Sequence, residues 1–159
     1  MNNKPNAYIS HRITIGEAHQ VTPKLIKAFE HLIPQLDQHR SPSDKELYNI
    51  THSENTSLLL AYETPFTILG TLTLLIISIP TGTYARIEDF VVDKSMREKG
   101  IGKALMREAI RRAEHSGAKT VDLTSHPTKI SANNFYKNVG FKKRETNVYR
   151  YELNHDSLG

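Results

Sequence analysis

The run Val91-Val92-Asp93-Lys94-Ser95-Met96-Arg97-Glu98-Lys99-Gly100-Ile101-Gly102-Lys103-Ala104-Leu105 narrows the possible folds more than any other part of the chain. An apolar strand enters a loop holding two glycines, and a helix follows at once. Ile101, Ala104, Leu105, Ala109 and Ala113 make one stripe, while Lys103, Arg107, Arg111 and Glu114 fall opposite. That is the pattern of an amphipathic helix. Such a junction presents backbone N–H groups at a positive helix end, where phosphate oxygens bind. Glycine suits the place because a side chain would hold phosphates away from the backbone. Arg97, Lys99 and Lys103 add charge, so the local field suits a pyrophosphate.

Two familiar anion loops are excluded. A Walker-type loop needs Gly where Arg97 stands and Ser or Thr where Ala104 stands. A dinucleotide fingerprint needs a small residue at the position of Leu105.

The surrounding chain reads as a mixture of strands and helices. A short strand is expected at Arg12 to Gly16. Thr22-Pro23 then opens a helix whose apolar face is Leu25, Ile26, Phe29, Leu32, Ile33 and Leu36. Ser43 and Glu46 form a capping-box pattern leading into a helix that ends near Thr51. Ser57 to Glu63, Thr67 to Ile77 and Tyr84 to Asp93 are rich in Leu, Ile, Val and Thr. Breaks at Thr64-Pro65 and Pro80-Thr81-Gly82 suit antiparallel hairpins. After the helix Ile101 to Ser116 come a strand at Lys119 to Thr124 and a helix near Thr128 to Val139. Strands follow near Phe141 to Arg144 and Val148 to Leu153. Gly117 and Gly140 stand where helices stop. The expected fold is α/β of the α+β kind, a mixed and mostly antiparallel twisted sheet flanked by helices.

At 159 residues the chain is expected to form one domain, residues 1–159, with an ordinary core. It has no cysteine, which excludes disulfide scaffolds, thiolate nucleophiles and Cys-ligated zinc. The start, Met-Asn-Asn-Lys-Pro-Asn, does not resemble a signal peptide. Phe66 to Ile79 is too short and too rich in Thr to span a membrane. A soluble, cytoplasmic protein with no membrane partner is expected. With 21 Lys and Arg against 17 Asp and Glu, the net charge is +4. This suits an anionic ligand but falls short of a nucleic-acid binder's footprint. Lys24, Lys27, Arg40 and Lys45 in the N-terminal helices are offset by Glu30, Asp37, Asp44 and Glu46. No nucleic-acid partner is expected.

The pattern Arg97-x-x-Gly100-x-Gly102 resembles the pyrophosphate-binding motif of the GNAT superfamily of N-acetyltransferases, which bind acetyl-coenzyme A. Three more features stand in that family's order. Ile87-Glu88-Asp89-Phe90-Val91-Val92 resembles its fourth strand, and Thr120 to Thr124 its fifth. Ala132-Asn133-Asn134-Phe135-Tyr136-Lys137-Asn138-Val139-Gly140-Phe141 resembles its fourth-helix signature. The likeness is sharp from Tyr84 to Phe141.

The resemblance implies an acetyl-CoA-binding core at about residues 84–141 and acceptor-side helices at about 20–53. It implies acetyl-CoA as co-substrate, no metal, and a small-molecule amine as acceptor. A homodimer through the C-terminal strands is compatible with it. Amides of Arg97, Glu98, Lys99, Gly100, Ile101, Gly102 and Lys103 would hold the pyrophosphate. The backbone of Val91 and Val92 would pair with the pantetheine arm. Tyr136 would protonate the departing thiolate, or else be a core residue beside Ala132, Phe135 and Val139. Asn133 would contact the coenzyme or merely face solvent. Many family members carry Asn where this chain has Lys129. The base that frees the amine is first Glu88 and second Asp89. Simple alternation points these two to opposite faces, which a bulge would change. Asp89 and His126 are candidates for the substrate side. Other readings are a protein N-terminal or lysine acetyltransferase and a CoA-binding regulatory module without turnover.

Overall fold

A computed structural model describes residues 13–36, 41–63 and 67–153. They fall into two compact units that divide after Thr124. Arg12 of the expected first strand and the Thr64-Pro65 break lie outside the described residues.

The first unit holds β1 (Thr14–Glu17), α1 (Pro23–Leu32), α2 (Asp44–Thr51), β2 (Thr56–Tyr62), β3 (Ile68–Ile79), β4 (Gly82–Val92), α3 (Ile101–His115) and β5 (Val121–Asp122). The sheet order is β1-β2-β3-β4-β5. Neighbours pair antiparallel except β4 and β5, which are parallel. The expectation of a mixed, mostly antiparallel sheet flanked by helices therefore stands.

Helix ends follow local chemistry. The Thr22 side chain accepts from the Leu25 N–H at 3.2 Å and Pro23 starts α1. The Ser43 hydroxyl accepts from the Glu46 N–H at 3.2 Å while Glu46 accepts from the Ser43 N–H at 2.7 Å, a closed capping box. α1 is shorter than its apolar stripe suggests. Pro34 lacks the N–H that an α-helical turn needs, so the chain tightens into a 3-10 turn at Ile33–Gln35. Leu36 lies beyond both.

Cross-strand neighbours share a face, so the register assigns each side of the sheet. Leu58, Leu60, Thr71 and Thr73 lie on one face. There Leu58 and Leu60 form a core cluster with Leu25, Phe29, Ile33 and Leu47 of the α1–α2 region. Leu59, Gly70, Leu72, Leu74 and Ile87 lie on the other. α3 packs on that face with Ile101, Leu105, Met106, Ala109 and Ala113 buried. Gly70 is required at this contact. A Cβ there would stand 2.9 Å from the Val91 carbonyl oxygen and 3.3 Å from Leu105.

The second unit contains α4 (Ile130–Val139), closed by Gly140 at φ 113°. Two expectations fail. The strand expected at Lys119 to Thr124 is only Val121–Asp122, and neither Phe141 to Arg144 nor Val148 to Leu153 forms a strand. The alternation of Tyr149, Tyr151 and Leu153 has a strand's period, but a strand also requires a neighbouring backbone to complete its ladder. Among the described residues none pairs with this segment, and Val148, Tyr149, Tyr151 and Leu153 are 76%, 87%, 87% and 71% exposed.

Candidate active site

β4 carries a bulge where the chemistry was expected. Thr73 stands opposite Glu88, but Thr71 stands opposite Val91. Asp89 and Phe90 therefore share the place facing Leu72, and Asp89 adopts the left-handed region at φ 47°. An extra residue in one strand resets its alternation. Glu88 and Val91 consequently share the sheet face that carries α1 and α2, while Asp89 is exposed. Arg86, opposite Leu75, lies on that same face and donates its Nε–H to Glu88 Oε1. Both side chains are 41% exposed.

The far end of β4 has an open edge. β5 pairs with β4 only at Ala85–Val121 and Arg86–Asp122. From Ile87 to Val92 no strand among the described residues lies on that side of β4. An extended ligand arm can add there as a strand would, through backbone hydrogen bonds. Val91 is buried and Val92 half-buried; the Val92 carbonyl accepts from Arg97 Nε at 3.1 Å.

The glycine loop comes directly after this edge. Glu98 and Gly100 are both left-handed, at φ 64° and 82°. Gly100 is the N-cap of α3, and no side chain among the described residues caps that helix. The first N–H groups of an uncapped helix carry its positive end. Arg97, Lys99 and Lys103 stand exposed around it, Gly102 is half-buried, and Ile101 anchors the helix start in the core.

Between strand and loop sits Asp93. Its Oδ1 accepts from the Ser95 N–H at 2.8 Å and the Ser95 hydroxyl at 2.6 Å. Its Oδ2 faces His31 Nε2 and takes a hydrogen bond from Gln35 Nε2 at 3.5 Å. Gln35 Oε1 in turn accepts from the Lys94 N–H at 2.9 Å. The Ser95 hydroxyl, helped by these other donors, holds the Asp93 carboxyl down at about 2.

In the second unit, Tyr136 is half-buried on α4, edge-on to Phe135 and Phe141 at ring-centre distances of 5.6 and 6.2 Å. Burial pushes its phenol above the ordinary value. His126 is exposed, and its Nδ1 accepts from the Thr128 N–H at 3.3 Å with the Thr128 hydroxyl at 2.7 Å. Asn133 donates through Nδ2 to the His126 carbonyl at 2.9 Å, closing the loop before α4. Among the described residues no cluster of His, Asp and Glu could hold a metal ion, and no helix is long and apolar enough to cross a membrane.

Sequence reasoning did not find Arg86, His31, Gln35 or the double role of Asp93. Asp93-Lys94-Ser95 carries the signature of an Asx turn, so Asp93 was detectable locally. Nothing in sequence joins His31 and Gln35 to a residue 62 and 58 positions away.

The profile of the acetyltransferase (GNAT) family matches residues 24–141. An uncharacterized N-acetyltransferase of Methanocaldococcus jannaschii is 38% identical over 61 residues, which is 38% of this chain and 27% of that protein. The chain thus spans about a quarter of that relative's length. An aminoglycoside acetyltransferase from an uncultured soil metagenomic sample, in complex with sisomicin, has the same fold. Its TM-score is 0.77 at 20% identity, covering 89% of this chain and 95% of that one. AAC(6')-Iy in complex with the bisubstrate analogue CoA-S-monomethyl-acetylneamine has a TM-score of 0.72 at 16% identity, covering 89% and 99%. With its profile matched across most of its length, the chain belongs to the acetyltransferase (GNAT) family.

Proposed function

We propose that the chain is an acetyl-CoA-dependent N-acetyltransferase that acetylates a primary amine of a small molecule by direct attack, in the cytoplasm. The observation that carries this reading is the open edge of β4 running from Ile87 to Val92 into the uncapped start of α3. A pantetheine arm fits the edge as an added strand, and the pyrophosphate then meets the amides of Arg97 to Lys103. Left-handed Glu98 and Gly100 shape the loop, and Arg97, Lys99 and Lys103 supply the opposing charge.

An ammonium has no lone pair for attack, so the amine must lose a proton. Glu88 takes that proton, directly or through a water, from the α1–α2 face of the sheet, and Arg86 holds the carboxylate in place. The amine then forms a C–N bond to the thioester carbonyl, and collapse of that intermediate breaks the C–S bond while the nitrogen's surplus proton leaves to solvent, which restores the one Tyr136 gives up. Tyr136 gives its proton to the leaving sulfur; a phenol is already protonated at neutral pH, and burial favours that neutral form further. Holding both reactants together supplies much of the rate.

The small-amine acceptor rests on fold relatives whose ligands include sisomicin and an acetylneamine conjugate. Thiol release from acetyl-CoA, measured with sisomicin, glucosamine 6-phosphate and a lysine-containing peptide as probes, tests it. Release dependent on a small amine is expected. Release with the peptide alone would make it a protein acetyltransferase, and coenzyme binding with no release from any amine would make it a regulatory module.

A further inference from the structure

The pyrophosphate loop is tied at its entry to the helix on the acceptor side. Asp93 follows β4 and, by the alternation set after the bulge, lies on the face of Glu88 and Val91, toward α1. Its two oxygens divide the work. Oδ1 is spent on Ser95, whose N–H and hydroxyl it accepts at 2.8 and 2.6 Å, which turns the chain out of the strand. Oδ2 is spent on His31 and Gln35, which stand at the end of α1 and in the turn after it. Gln35 also accepts the Lys94 N–H at 2.9 Å and donates to the His31 carbonyl at 3.2 Å, so it bridges helix and loop through both ends of its amide. The backbone adds a third element, because the Asp93 N–H donates to the Leu69 carbonyl at 2.9 Å.

The Lys94 and Ser95 amides are thereby occupied, and Met96 donates to the Asp93 carbonyl at 2.9 Å. Three consecutive N–H groups at the loop entry are satisfied within the protein. An anion arriving at the loop therefore meets only the amides from Arg97 onward. The network fixes where the phosphate-facing part begins and leaves those amides with a set direction.

We propose that Asp93, His31 and Gln35 form a positioning clamp that preorganises the coenzyme loop from α1, so that the acceptor-side helix and coenzyme affinity are coupled. This rests on the acetyl-CoA reading above. None of the three touches the coenzyme; they act through the Lys94 and Ser95 backbone. Part of the binding free energy that an unclamped loop would spend on ordering is already met.

The test is calorimetric titration of acetyl-CoA into the wild type, His31→Ala, Gln35→Ala, the double variant and His31→Gln. His31 is 66% exposed, so its variants should keep the fold. The single alanine variants should weaken acetyl-CoA binding by about three- to tenfold, the scale of one or two hydrogen bonds, with melting temperature nearly unchanged. The double variant should lose less than the product of the two, because both act on one carboxylate. His31→Gln, which keeps a donor toward Asp93, should recover most of the affinity. Amide exchange at Lys94 should quicken in Gln35→Ala. Wild-type binding with every variant equal to it would overturn the clamp and leave the acetyl-CoA reading intact. Absence of wild-type binding would overturn that reading itself.

Discussion

Thr73 of β3 faces Glu88 of β4, and two residues along β3 Thr71 faces Val91, which is three residues along β4. The extra residue puts Glu88 on the α1–α2 face and leaves Asp89 exposed in the left-handed region. If Glu88 is the base, Glu88→Gln should lower kcat by about 10²-fold, the usual reach of general base catalysis. Acetyl-CoA affinity should stay within twofold. Asp89→Asn should stay near wild type in both, since Asn tolerates a positive φ. Steady-state kinetics with an active amine checks both, and a fully active Glu88→Gln would remove the assignment.

Gly100 makes a conformational demand with no steric one. At φ 82° it is left-handed, yet a Cβ there would meet nothing within 4 Å. Gly100→Ala should therefore cost about 1–2 kcal/mol of stability through backbone strain alone, and Gly100→Asn less. Urea unfolding of the three proteins measures the difference.

Among the described residues Glu17, Asp93 and Glu108 are held below their ordinary values, and the two lowered furthest, Asp93 and Glu108, shape the acid side of the stability profile. Asp93 lies near 2 rather than 3.8, chiefly through the Ser95 hydroxyl, and Glu108 lies near 2 rather than 4.5, chiefly through Arg111. Glu108 also accepts from Arg112 at 2.8 Å, and Arg112 pairs with Glu17 of β1. A pKa lowered in the folded state gives stability that is full above the unfolded value and is lost as pH falls through the folded one. Stability should thus decline between about pH 4.5 and about pH 2, by about 1–2 kcal/mol for each group after solvent screening. In Asp93→Asn and Glu108→Gln the decline should be shallower, as urea midpoints across that range will show.

Tyr136→Phe separates a catalytic phenol from a packing one. Loss of the hydroxyl should lower kcat by about 10²-fold and leave acetyl-CoA affinity within twofold. Unchanged turnover would make Tyr136 a packing residue of α4.

The elements carrying strong local signals were legible in the sequence: the Thr22 cap, the Ser43–Glu46 capping box, the α3 stripe and the Gly140 stop. The glycine loop was legible too, because residue type and spacing state its chemistry. The bulge at Asp89 was legible only as a possibility: Asp enters the left-handed region more readily than most residues, but one Asp within an apolar strand does not fix where the register shifts. The Val148–Leu153 alternation misled, because period alone does not supply a pairing partner. The His31–Gln35–Asp93 network was invisible for a related reason. It depends on register and on where α1 ends, and Pro34 decides that end.

Calorimetric titration of acetyl-CoA into the wild type and Gly102→Glu, with NAD as a control, tests the central claim most directly. Saturable binding to the wild type, no binding to Gly102→Glu and none of NAD to either is the predicted result. Gly102→Glu places bulk and negative charge where the pyrophosphate rests. A wild-type protein that binds no acetyl-CoA, or a Gly102→Glu variant that binds it equally well, would contradict the coenzyme loop and the acetyltransferase reading built on it.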